Sequence, residues 1–275
     1  MSVDPISYDA KVCRDLNQAL RHEWLEKNSF GGFASSSIAS VNTYRHHGLL
    51  VAQLKPPLGQ FVLLSGLEEI LYIADEAYPL STMLFRETVY PEGYRHIKAF
   101  SQRPFPTWVF EIEDVVLVKN VISLYDEQTV LIRYRVIAGD EFLVRLQLRP
   151  LTVFRDVHSL GQQSGRLSTA IETTPGRIRF AGVYFYHNAA IVDQSGAWYR
   201  GVYYPGEKQS GRDFQEDLYA PFHLICPFLS GNDIFLCASL EDRKMMNPHA
   251  LIAKEDARRY QSEKSNLSQI KGTAA

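Results

Sequence analysis

Residues 115–149 read VVLVKNVISLYDEQTVLIRYRVIAGDEFLVRLQLR, and this run decides the fold class. Val115–Leu124 is an apolar run of strand length, and Asp126-Glu127-Gln128 supplies turn residues. Thr129–Ile137 then alternates: Val130, Ile132, Tyr134 and Val136 share one face, while Thr129, Arg133 and Arg135 share the other, with Leu131 breaking the pattern. Ala138-Gly139-Asp140 turns the chain again. Glu141–Leu148 sets Phe142, Val144, Leu146 and Leu148 against Arg145, Gln147 and Arg149. A period of two with one wet face predicts an antiparallel meander lying on a core.

Outward from this run the same signals recur. Leu49–Leu54 and Phe61–Leu64 are short apolar runs separated by Pro56-Pro57-Leu58-Gly59, and Leu71–Ala74 follows. Arg177–His187, Trp198–Tyr204, His223–Cys226 and Ile234–Ser239 are further strand candidates. No long helical pattern interrupts them, which excludes repeated βαβ units. Tyr8–Ala19 reads as one short helix, with Val12, Leu16 and Ala19 at helical spacing. From Pro248 to about Leu267 the chain is helix-like and highly charged. The expected fold is all-β, two stacked antiparallel sheets with helical ends. The expected division is a helical segment at 1–22, the β domain at 23–247 and a terminal helix or linker at 248–275.

The 275 residues suffice for a large core. With 29 basic and 31 acidic residues intermixed, net charge is −2. That excludes the basic field through which proteins bind nucleic acid. No apolar run approaches the roughly 20 residues of a membrane span. Cys13, Cys226 and Cys237 are odd in number and lack metal-ligand spacing, so neither a disulfide framework nor a metal site is expected. The start, MSVDPISYDA, carries no secretion signal, and a soluble protein of a reducing cytoplasm is expected. Aromatic residues make up 12%, which suits a sheet and would also suit sugar-stacking surfaces.

The glycine–serine run 30–37 lacks the lysine and spacing of a phosphate loop. Its glycines fit close backbone approach or positive φ instead. Asn42-Thr43-Tyr44-Arg45-His46-His47-Gly48 reads as a strand that sends His46 and His47 to opposite faces. Arg45 there is suited to pairing with a carboxylate in a structural polar network. Asp156, His158, Glu207 and Asp213 are carboxylates and imidazole of the kind glycoside chemistry uses, although nothing in the spacing assembles a pair. No cofactor or nucleotide motif is present.

Taken together, several blocks resemble the archaeal and bacterial type of glycogen debranching enzyme, the amylo-α-1,6-glucosidases. The first is Glu23-Trp24-Leu25, Asn28, Gly31-Gly32-Phe33-Ala34-Ser35, Asn42-Thr43, Arg45 and His47-Gly48-Leu49-Leu50-Val51-Ala52. Arg103-Pro104-Phe105-Pro106 with Trp108, Leu117 and Lys119 is the second. Pro150–His158 and Trp198-Tyr199 through Tyr219 complete the set. Departures are Ser29 in place of glycine, Tyr44-Arg45-His46, the order Ser210-Gly211-Arg212, and Ala220-Pro221-Phe222 without a glycine after the proline.

The resemblance implies a two-layer antiparallel β-supersandwich, related in shape to galactose-mutarotase-like sandwiches. It implies no catalytic residue within the chain, with the acid and base on an (α/α)6 barrel in cis or trans. Residues 248–275 would lead towards that barrel, and an α-glucan would be the substrate. No cofactor or metal is implied. Trp24, Gly31, Gly32, Asn42, Arg45, His47 and Gly48 are then structural signature residues. Glu207, Arg212, Asp213 and His158 are the candidates for contact with sugar or barrel. Two other readings stay open: a free-standing carbohydrate-binding module using Trp108, Trp198 and Tyr203, and a mutarotase-type enzyme with His158 and Glu207 as acid and base.

Overall fold

The computed structural model describes residues 6–86, 88–140, 144–164, 168–229, 231–243 and 246–272. Met1–Asp242 form one compact unit and Arg243–Ala275 another.

Within the first unit the decisive hairpin forms as read. Val115–Ser123 pairs antiparallel with Thr129–Ala138. Val130, Ile132 and Tyr134 lie in the main core, with Val136 packed against it. The third strand of the expected meander does not form there. Val144–Asp156 crosses to the other sheet and pairs with Gly59–Ile73, setting Val144 opposite Ile73 and Asp156 opposite Phe61. The place beside Thr129–Ala138 goes to Ile234–Ser239. Alternation dictates which side of a strand is buried, not which strand lies beside it. Val144, Leu146 and Leu148 meet the same core from its opposite wall. Phe142 lies outside the described residues.

Among the described residues the first sheet runs Ser7–Asp9, Ile97–Ser101, Thr107–Ile112, Val115–Ser123, Thr129–Ala138, Ile234–Ser239, Val183–His187, Arg177–Phe180 and Ile171–Thr174. The second runs Glu23–Lys27, Phe33–Ser37, Gly48–Leu54, Gly59–Ile73, Val144–Asp156, Gln215–Ala220, Ala197–Tyr203, Thr82–Phe85 and Thr88–Glu92. Glu76–Pro79 adds to Gly59–Ile73, while His223–Pro227 adds to Val144–Asp156 and carries Ile191–Asp193. The recorded pairings are antiparallel, as expected for an all-β sandwich.

The second sheet forks. Arg145–Leu148 pair with His223–Pro227, whereas Thr152 pairs with Tyr219 of Gln215–Ala220. Pro150, which has no N–H to offer a ladder, sits between these two pairings, and Pro221 separates the two partner strands.

Between the sheets Trp24 and Trp108 meet edge-to-face at 5.6 Å, and Phe100 packs on Trp108 at 4.9 Å. The Trp108 indole donates to Ile38 O at 2.7 Å. A charged group spans the layers in this core: Lys119 donates to Glu69 at 2.9 Å, and Tyr134 donates to the same carboxylate. All three side chains are buried, and a buried charge persists only when paired in this way. A second, smaller cluster, including Val51, Val62, Leu151, Val153 and Leu218, covers the opposite face of the second sheet. There the alternation of exposure fades, because both faces are dry.

The expected helix over Tyr8–Ala19 is a strand, Ser7–Asp9, followed by two four-residue helices, Ala10–Cys13 and Leu16–Ala19. Asp9 and Asp15 are the reason. Each is an N-cap in extended conformation whose carboxylate accepts an amide three residues on, so Asp15 starts a new helix instead of continuing the old one. In the second unit Pro248–Gly272 is one helix, in which Glu255 pairs with Arg258 at 2.6 Å and Arg259 at 2.9 Å. Among the described residues no helix is long and apolar enough to cross a membrane.

Candidate functional site

The signature loops are built around close backbone approach. Gly31 has φ +85°, and a Cβ on Gly32 would lie 2.7 Å from both Asn28 Nδ2 and Val51 O. Asn28 Oδ1 accepts the amides of Phe30 and Gly32, at 3.0 and 2.9 Å, and so holds the turn. Asn42 bridges strands, accepting from Ser36 Oγ at 3.0 Å and donating to Ser65 O at 3.0 Å. A Cβ at Gly48 would stand 3.0 Å from Leu64 O.

Residues 43–47 are not strand. They form a turn between Phe33–Ser37 and Gly48–Leu54, so His46 and His47 do not point to opposite faces. Their rings pack edge-to-face at 4.8 Å, and His46 stacks on Tyr44 at 5.4 Å.

The turn presents Arg45 to the layer that covers the second cluster. Its guanidinium donates to His158 O and to Asp213 O, both at 2.8 Å, and lies 3.1 Å from Glu207 Oε2. Its amide donates to Glu207 Oε1 at 3.0 Å. Arg212 stands 3.7 Å from Glu207 Oε2, and its own amide donates to Glu207 O at 3.0 Å. Arg45 thus gathers three of the four candidates, and the fourth, Arg212, joins them through Glu207. Two of them, His158 and Asp213, contribute only main-chain carbonyls to Arg45, and their side chains are exposed.

Glu207 lies in the short helix Pro205–Gln209, which is pressed against the turn. Gly206 N donates to Thr43 O at 2.9 Å, and a Cβ on Gly206 would stand 2.4 Å from the Tyr44 ring. Gly211, with φ +68°, follows the helix, so the order Ser210-Gly211-Arg212 still brings Arg212 back to Glu207. Burial pushes the Glu207 carboxyl up, but Arg45 and Arg212 outweigh it and hold the group below the usual carboxylate range. With its carboxylate 1% exposed and tied to Arg45, Glu207 is a structural anion.

A second pair, not among the sequence candidates, lies beneath this layer. Arg155 forks onto Glu216 through Nε and Nη2, the latter at 2.8 Å, and donates to Arg45 O at 2.7 Å. Tyr204 donates to Glu216, and Gly161 N does so at 2.6 Å. Arg155 and Glu216 are both buried. The available signal was a charged residue in a strand whose neighbours, Val153 and Val157, are apolar. Burial raises the Tyr204 hydroxyl, and the adjacent carboxylate adds to it.

The aromatic candidates fare differently. Trp108 is 1% exposed and belongs to the core, so it is not a sugar-stacking surface. Trp198 and Tyr203 are partly buried against the same core. Cys13, Cys226 and Cys237 are buried, and none of the three is in a disulfide. Among the described residues no three His, Cys, Asp or Glu side chains gather as a metal site requires.

Fold and site define a class: a two-layer antiparallel β-sandwich with an outer polar layer tied by buried arginine–carboxylate pairs. The family described as glycogen debranching enzyme N terminal matches residues 22–235, and the chain belongs to that family. No curated protein matches the chain. Among solved structures, a bacterial glucoamylase complexed with acarbose is similar at a TM-score of 0.35 and 7% identity, over 96% of this chain. The chain spans 35% of that glucoamylase.

Proposed function

We propose that this chain is the non-catalytic N-terminal sandwich of a glycogen debranching enzyme of the amylo-α-1,6-glucosidase type. It packs on an (α/α)6 barrel, in cis or in trans, through the helix Pro248–Gly272 and the layer around Glu207 and Arg212. It helps shape the site for a branched α-glucan there, while the barrel carries the acid and the base. The compartment proposed is the cytoplasm.

The observation that carries the reading is the state of the site carboxylates. Glu207 and Glu216 are buried in charge pairs with Arg45 and Arg155, so neither is free to exchange a proton or attack a sugar. The same pairing counts against a mutarotase with Glu207 as base. The test is hydrolysis of a branched limit glucan by the chain alone, by a separately produced barrel, and by the two mixed. Glucose release is expected from the barrel and is expected to rise with the chain present. Release by the chain alone would overturn the reading.

A further inference from the structure

Beside Glu23–Lys27, with Glu23, Leu25 and Lys27 in its lining, a cleft of about 490 Å³ opens against the turn at 43–47. This lies within the roughly 300–1,000 Å³ of small-molecule sites. It adjoins the Arg45 layer through the shared turn but is lined by other side chains, drawn largely from the block that carries the family resemblance.

Its chemistry can be read group by group. Thr43 N donates to His47 Nδ1 at 3.2 Å, so the neutral ring carries its proton on Nε2, which faces Glu23 Oε1 at 3.6 Å. Thr43 Oγ1 donates to the same carboxylate at 2.8 Å. The contact with His47 outweighs burial and holds the Glu23 carboxyl below its ordinary range. Glu23 is therefore a fixed, ionised acceptor, and its side chain is 41% exposed.

Lys27, also exposed, balances that charge, and His46 is kept neutral by burial and by His47 beside it. Leu25, 44% exposed, offers an apolar surface beside Phe33. Ser35, opposite Leu25 in register, is buried, and its Oγ has no hydrogen-bond partner. A buried hydroxyl of this kind calls for one.

A fixed acceptor, an ammonium donor, an apolar wall and no net charge suit an uncharged polyhydroxylated ring better than an anion or a purely apolar ligand. We propose that the cleft is a saccharide subsite that takes the terminal glucosyl units of an α-glucan. The saccharide class follows from the cleft; the choice of α-glucan rests on the debranching reading.

The test is nuclear magnetic resonance titration of the isotope-labelled full chain with maltotetraose, and separately with glucose 6-phosphate as an anionic control. Saturable shifts confined to residues 23–35, 43–47 and 60 are expected with maltotetraose. Glu23→Gln, which retains an acceptor for Thr43, is expected to weaken binding about tenfold. Leu25→Arg, at an exposed position, is expected to abolish it, with the remaining spectrum unchanged. Saturable shifts centred on Trp198 and Tyr203 would overturn the cleft while leaving the glucan reading intact. So would tighter binding of glucose 6-phosphate, or no saturable shift at all. Cleft binding together with no effect of the chain on barrel activity would sink the debranching reading alone.

Discussion

Replacing Arg45 with methionine is expected to destabilise the first unit by about 3 kcal/mol. Removing one member of a buried ion pair generally costs about 3–5 kcal/mol, because the other charge is left without compensation. Two observations place this case at the low end. Glu207 keeps the Arg45 amide at 3.0 Å and Arg212 at 3.7 Å, and the Arg45 side chain is itself 15% exposed. The carbonyls of His158 and Asp213 also lose their donor, but both lie in exposed segments where water can replace it. For a chain of this size, about 3 kcal/mol corresponds to a fall of about 6–12 °C in Tm. Urea unfolding followed by circular dichroism measures the loss, and a cycle with Glu207→Gln isolates the pair. The double variant should be less destabilised than the sum of the singles by about 1.5–2 kcal/mol. A loss under about 0.5 kcal/mol for Arg45→Met, or simple additivity, would refute the reasoning.

Trp108→Phe should cost about 1 kcal/mol more than Trp24→Phe in the same assay. Only the Trp108 indole has an acceptor, Ile38 O, whereas the Trp24 N–H is buried without a partner. Lys119→Met should cost about 3–5 kcal/mol and be largely rescued by Glu69→Gln, because the second change removes the orphaned buried charge. Stability should fall as pH drops from about 7.5 to 5. Burial depresses His96, His187 and His223, so the unfolded chain takes up protons first as pH falls through 6.5 and is favoured. Below about 4.5 the depressed Glu23 and Glu207 add to the loss, and urea midpoints across this range should decrease monotonically. Burial pushes the Cys13 thiol up to about 11 and Cys226 to about 12, so an aromatic disulfide reagent at pH 8 should label neither until the chain is unfolded.

The layers were legible in the sequence because side-chain alternation is a local property. Val130, Ile132 and Tyr134 face the core for the reason their spacing suggests. Strand order was not legible. Val144–Asp156 comes after the turn signal Ala138-Gly139-Asp140 and so reads as the next strand of a meander, but it pairs with residues some eighty positions earlier. The break at Asp15 was not read, because the helical spacing of Val12, Leu16 and Ala19 runs straight through that capping residue. Arg45 was recognised as an arginine in need of a carboxylate, while its partner Glu207, 162 positions away, could not be inferred from local pattern. Arg155 and Glu216 each lie in a block that carries the family resemblance, but nothing local links the two blocks, so the pair went unmarked. Only the fold makes them neighbours.

A branching sheet has more ends than a simple one. The second sheet finishes, among the described residues, in four free margins rather than two: Glu23–Lys27, Glu76–Pro79, Thr88–Glu92 and Ile191–Asp193. Every free margin is a template on which another molecule can lay a strand. Here none exceeds five residues, each carries at least one acidic side chain, and Pro79 and Pro91 each take one amide donor out of play. Edges this short, charged and interrupted by proline offer another molecule only a brief ladder to pair with. The forked architecture thereby guards itself against polymerising.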